Sequence, residues 1–369
     1  MKKNILGLML SFLIASCSTS KQATFLVGTY TANASQGINV IQFDTNSKAI
    51  SIQNLIPGIE NPSFVITNKG KTILVAVEET ASETGGKVTS YSYDSTSNKF
   101  KKLNSLFTKG NHPCTVTFSP DEKYVIVGNY SGGNLAVFPI DQQGNLSENT
   151  QFIQYEGKSV NAERQEKPHV HSVVFHPKDS FLFVADLGRD AIEMVPFDAN
   201  SKTFLQIENA ISTKVSSGSG PRHLLFNKAG NTLYVTYELT NEIGVFKFED
   251  NQLQHQQTIA LTKTPTKSGS AAELRLSDDG NYLYATVRGN DNQLVVMKTN
   301  QDKDLEVIQS IATGKAPRNF ILTNDQKNIL IANQNSDKIT VFDRDTKSGL
   351  LSPTSSEISI PKPVYLFNF

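Results

Sequence analysis

The chain has no tryptophan in its 369 residues and only two cysteines, Cys17 and Cys114. The first absence removes the Trp-Asp signature that many repeat proteins acting as binding platforms carry. The second leaves no disulfide framework, and no CxxCH stretch exists to attach a haem. Neither sign of charge is in excess, because 35 Lys and Arg balance 35 Asp and Glu. No basic field is therefore present to draw in nucleic acid. Long apolar runs are also missing, apart from residues 5–14, which are too short to span a bilayer comfortably. With 38% hydrophobic and 19% charged residues, the composition is that of a globular protein with a sizeable core.

The first twenty residues, MKKNILGLMLSFLIASCSTS, place two lysines before the apolar stretch and small residues after it, the layout of an export signal. The segment LIASC resembles a bacterial lipobox, which implies cleavage before Cys17 and acylation of its thiol. The expected organisation is a signal over residues 1–16, a lipidated tether over 17–23 and one domain over 24–369, held at the cell envelope through the lipid alone. Loss of Lys2 and Lys3 takes the basic side chains from 35 to 33, and Cys114 is then left with no intrachain disulfide partner.

Internal repetition dominates the rest of the chain. Segments beginning at Asn61, His112, His169, Gly220, Ser270 and Ala316 each contain two apolar runs around a polar turn, as in GPRHLLFNKAGNTLYVTYEL. Their third residues, Ser63, Cys114, His171, Arg222, Ala272 and Arg318, are separated by 51, 57, 51, 50 and 46 positions. Further short runs such as NLAVFPID bring each repeat to about four strands, with almost no helical periodicity. TFLVGTY at 24–30 matches a second run that lacks a first, and the final KPVYLFNF matches a first run that lacks a second. The two ends together complete a seventh sheet. An all-β, seven-bladed β-propeller of four antiparallel strands per blade follows, closed by N- and C-terminal strands that share one blade.

In an antiparallel hairpin the start of the first strand and the end of the second share one end of the sheet. Arg222 is thus expected beside Glu238, His171 beside Asp186, Cys114 beside Asn129, Ala272 beside Arg288, Ser63 beside Glu78, and Arg318 beside Asn333. If the first strand is innermost, these residues surround one mouth of a central channel. The stretch HVH also permits a metal reading, since His169 and His171 lie two apart on a strand with Asp186 nearby. Cys114 shares the column of His171 and Arg222, which permits a thiol nucleophile, although a small buried thiol is commoner. His176 occupies a turn position and reads as structural.

The stretches NYSGG (129–133), RQEKPHVH (164–171), DLGRD (186–190), GPRH (220–223), YEL (237–239), AAEL (271–274) and RG (288–289) occur in order along the chain. Together they resemble the seven-bladed β-propeller lactonases, the family of bacterial 6-phosphogluconolactonases and relatives of fungal carboxymuconate lactonizing enzymes. The resemblance implies hydrolysis of a small sugar lactone without a cofactor or metal, by a monomer, with His171, Arg222, Glu238 and Arg288 as catalytic residues. Arg164, His169, Asp186, His223, Asn129 and Arg318 are expected at the substrate. The export signal departs from the cytosolic members and leaves the choice of lactone open. Either His171 or Glu238 could serve as the base: neighbouring arginines favour a neutral imidazole and weaken a carboxylate. A non-enzymatic binding propeller at the envelope and a metal-assisted lactonase are the alternatives.

Overall fold

The apolar runs are rich in valine, isoleucine, leucine and aromatic residues, which suit a pleated surface covered on both sides. In a computed structural model, which describes residues 22–31, 37–201, 203–266, 268–300 and 304–369, they form 28 strands in seven four-stranded antiparallel sheets. The segment 1–16 and Cys17 lie outside the described residues. The first described strand, Gln22–Thr29, includes two residues assigned to the tether. It pairs with the last strand, Pro363–Asn368, setting Leu26 opposite Phe367 and Val27 opposite Leu366. The shared seventh blade is therefore present.

The first strand of each blade is innermost. These strands, among them Pro113–Phe118, Val170–Phe175, Pro221–Phe226 and Pro317–Leu322, touch one another in sequence, and Pro363–Asn368 closes the circle. Second strands such as Thr232–Tyr237 are buried throughout, whereas the outermost Gln252–Ala260 is largely exposed. Neighbouring blades interleave their apolar faces, as where Phe183 and Met194 of one meet Leu224, Leu233 and Phe246 of the next. Each such side chain contributes about 1.5–3 kcal/mol when fully buried. That coverage of both faces is why Phe181–Asp186 shows no polar alternation.

Two local devices recur at one end of the inner hairpins. The residue just after each second strand donates its backbone N–H to the residue just before or at the start of the first run. The pairs are Tyr30 to Lys362, Glu79 to Asn61, Tyr130 to His112, Leu187 to His169, Glu238 to Gly220, Arg288 to Ser270 and Gln334 to Ala316. Five of these acceptors, Asn61, His112, Gly220, Ala316 and Lys362, hold left-handed backbone. At Gly220 a Cβ would also meet the Leu239 side chain at 2.7 Å, so here it is space, more than the backbone angle that the other four residues adopt, that calls for glycine. Two positions further on, the strand register slips at Cys114, His171, Arg222–His223, Ala272–Glu273 and Arg318. A bulge of this kind re-aims a side chain out of the ladder.

The expected position around the channel mouth is corrected at four blades, although the strand ends lie side by side as expected. Glu78, Asn129, Asp186 and Asn333 are the final residues of their strands and are buried, with Glu78, Asn129 and Asn333 bonded to side chains of their own blade, Thr89, Asn134 and Thr340. The residue one position later occupies the same column as Glu238 and Arg288. Successive residues of a strand point to opposite faces, so a shift of one changes channel-facing into blade-facing.

Candidate active site

A cavity of about 440 Å³ opens at this end of the channel, lined by Glu79, Cys114, Tyr130, Arg164, His171, Glu238, Ser270, Arg288 and Arg318. Its size suits a small sugar-like molecule. Three arginines against two glutamates give the lining an excess of positive charge.

Glu238 is the hub of one wall. Oε1 accepts from Arg164 Nη2 at 2.8 Å and lies 3.3 Å from Arg288 Nη2, while Oε2 lies 2.8 Å from Arg222 Nε. The Arg222 N–H is not aligned on that oxygen, so this contact is an ion pair without hydrogen-bond geometry. Burial would raise the Glu238 carboxyl, but Arg288, Arg222 and Arg164 together hold it at about 2. Arg222 is buried behind the wall, where Nη1 meets His223 Nε2 at 3.0 Å, and His223 Nδ1 lies 3.1 Å from Glu273 Oε1. Burial and then Arg222 lower His223 to about 4. Arg288 is fixed from beneath by donation from Nε to Ser270 O at 3.0 Å. Burial brings it down to about 9 against the pull of Glu238, which leaves it cationic at neutral pH.

His171 stands inside this wall with no tight partner. Its Nε2 is 3.9 Å from Glu238 Oε2, and its Nδ1 is 4.0 Å from Cys114 Sγ. The Tyr130 ring meets it edge-on at 5.4 Å. Burial, followed by the Arg222 charge, holds the imidazole well below its ordinary value. Burial pushes the Cys114 thiol up, so it stays protonated, and its sulfur is 3.5 Å from Val170 O.

The opposite wall carries a separate chain of contacts. Arg318 Nη2 donates to Tyr30 Oη at 2.8 Å, its guanidinium lies 5.2 Å from the Tyr30 ring centre, and Tyr30 Oη donates to Glu79 Oε1 at 3.0 Å.

Sequence and structure comparisons agree on the relatives of this chain. The family described as "Lactonase, 7-bladed beta-propeller" matches residues 24–367. The chain belongs to that family of seven-bladed propeller lactonases. A protein named 6-phosphogluconolactonase from Bacillus subtilis (strain 168) is 30% identical over 343 residues, covering 92% of this chain and 96% of that protein. Another of that name from Formosa agariphila is 30% identical over 340 residues, covering 90% and 96%. The solved structure of the Pseudomonas aeruginosa periplasmic gluconolactonase superposes with a TM-score of 0.88 at 32% identity, covering 94% of this chain and 99% of that one.

Within this lactonase, His171, Glu238, Arg288, Arg164 and Arg318 meet at the cavity, with Arg222 and His223 directly behind it. The other expected substrate contacts are not gathered there. His169 stacks on Tyr130 at 4.5 Å and points its ring nitrogens at Tyr130 O and Glu166. Asp186 accepts the backbone N–H groups of His169 and Arg189 and caps a short 3-10 turn, Leu187–Arg189. Asn129 binds Asn134 Oδ1 at 2.6 Å. His169 turns its ring to Tyr130 O and Glu166 and Asp186 is taken up by backbone N–H groups, while His171 lines the cavity, so the three do not converge as the metal alternative requires. Among the described residues no cluster of three or more His, Cys, Asp or Glu is placed to hold a metal ion.

Sequence reading missed Tyr30, Glu79, Tyr130 and Ser270. The first three occupy the column of Glu238 and Arg288, so carrying that one column through every repeat would have found them.

Proposed function

We propose that this protein hydrolyses a sugar lactone to its open-chain aldonic acid, with His171 as general base and Arg288 as the principal oxyanion donor. The observation that carries the reading is an imidazole kept neutral inside a cationic cavity, beside a carboxylate fully engaged by arginines. His171 takes a proton from water, and the resulting hydroxide attacks the acyl carbon. Arg288, reinforced from behind by Arg222, opposes the charge that develops on the carbonyl oxygen. As the acyl–oxygen bond of the ring breaks, the imidazolium returns the proton to the leaving ring oxygen. Glu238 at 3.9 Å stabilises that transient imidazolium, and it is too acidic to be the base itself.

The names of the relatives support the reaction class, since two are 6-phosphogluconolactonases and one is a gluconolactonase. A panel of gluconolactone, its 6-phosphate, galactonolactone and muconolactone, assayed with the mature chain, tests the reading and identifies the substrate. Hydrolysis of none of them rejects it, as does near-normal activity in His171→Ala.

Export and acylation of Cys17 are part of the same reading, supported by the N-terminal sequence and by the periplasmic setting named for the Pseudomonas relative. Labelled palmitate should enter the wild-type protein and be lost in Cys17→Ala. Equal labelling of the two removes the anchor.

A further inference from the structure

The wall opposite Glu238 carries a second carboxylate, Glu79. Among the described side chains lining the cavity, Glu79 is the one with a buried polar atom that lacks a partner among the described residues: Oε2 has none, while Oε1 is occupied by Tyr30. A buried carboxylate oxygen left unsatisfied is costly, and among the described residues no side chain relieves it. Tyr30 holds Oε1 from one side and is itself held by Arg318, so the carboxylate cannot easily turn away. Among the described residues the arginines of the other wall, Arg164, Arg222 and Arg288, pair with Glu238 instead.

We infer that Glu79, braced by Tyr30 and Arg318, is a specificity determinant that accepts a hydrogen bond from a hydroxyl group on the substrate's carbon chain. This rests on the sugar-lactone reading for the class of ligand. The two walls then divide the work. The Glu238 wall, carrying His171 and Arg288, faces the acyl carbon, and the Glu79 wall reads the polyol portion. A carboxylate accepts and never donates, so a hydroxylated chain is favoured over a bare one. A site built to bind a hydroxyl rejects an analogue without it, because its own buried group is then left unpaired.

Calorimetric titration with two open-chain acids of equal charge separates this role from simple electrostatics. Gluconate carries the hydroxyls and 5-hydroxypentanoate lacks those of the inner carbons. Wild-type protein should prefer gluconate. Glu79→Ala should weaken gluconate about 10- to 100-fold, the loss of one hydrogen bond to a charged group, and shift 5-hydroxypentanoate less than twofold. Glu79→Gln, closer in shape, should fall between, and thermal melts confirm that both variants are folded. No preference in the wild type, binding of neither acid, or equal shifts for both acids in the variants would each overturn the assignment. Because the readout is binding, a failure of the catalytic reading appears elsewhere, as turnover that does not depend on His171.

Discussion

The two ends of each inner hairpin make an instructive pair. At the turn end the eighth residue of six repeats, Asn68, Ser119, His176, Asn227, Ser277 and Thr323, performs one task with different side chains. Each accepts a backbone N–H a few residues on: Ser119 from Tyr124 at 3.0 Å, His176 from Asp179 at 2.8 Å, Ser277 from Tyr282 at 3.0 Å. At the bulged end the third residues are as varied, and His171, Arg222 and Arg318 each meet different groups. His171 and His176 lie on one strand and its edge, five positions apart. The second spends its ring on Asp179 N–H and Gly230 O, while the first has no close partner. Where all side chains of a column satisfy the same backbone group they maintain the fold; where they leave their chemistry unspent and face a cavity, they are available to a ligand.

Substitutions at the two ends should therefore separate activity from stability. His171→Ala should lower kcat/KM by about 10²–10⁴ with little change in melting temperature, measured on the lactone that the panel identifies. Glu238→Gln should lower stability by about 3–5 kcal/mol, because three arginines then lose a buried countercharge; urea unfolding measures it, and a change near zero would mean that the arginines find other partners. Acid should act on the bulged end in a defined window. Native His223 titrates at about 4 against 6.5 for the free side chain, so as pH falls below 6.5 the unfolded chain binds a proton that the native protein does not, and stability declines. Glu238 and Glu273, held at about 2 against 4.5, extend the decline from about pH 4.5 to 2. The smallest effect belongs to the turn end: Ser277→Ala should cost about 1 kcal/mol and leave kcat/KM unaltered. A large loss of activity there would break the division.

Much of this was legible in the chain. Repetition of about fifty residues, with half a hairpin at each terminus, defined the number of blades and the way the ring closes. Arg222, His171, Glu238 and Arg288 were identifiable because alignment of the repeats placed polar side chains where an apolar hairpin has its ends. His169, Asp186 and Asn129 were harder, since a rim residue can point either into the channel or between blades. Arg164 lies outside the repeated strands, in the connection before Val170–Phe175, and nothing local foretells that it crosses to a glutamate 74 positions away.

The order of apolar runs and turns by itself determined a closed ring of seven antiparallel sheets, because each strand pattern can be buried only against a neighbouring copy. Tertiary structure alone decided which rim residues share a cavity. That choice depends on a local slip in strand register, joined at most blades by a left-handed residue, and a slip of one position reverses the direction of every side chain it affects.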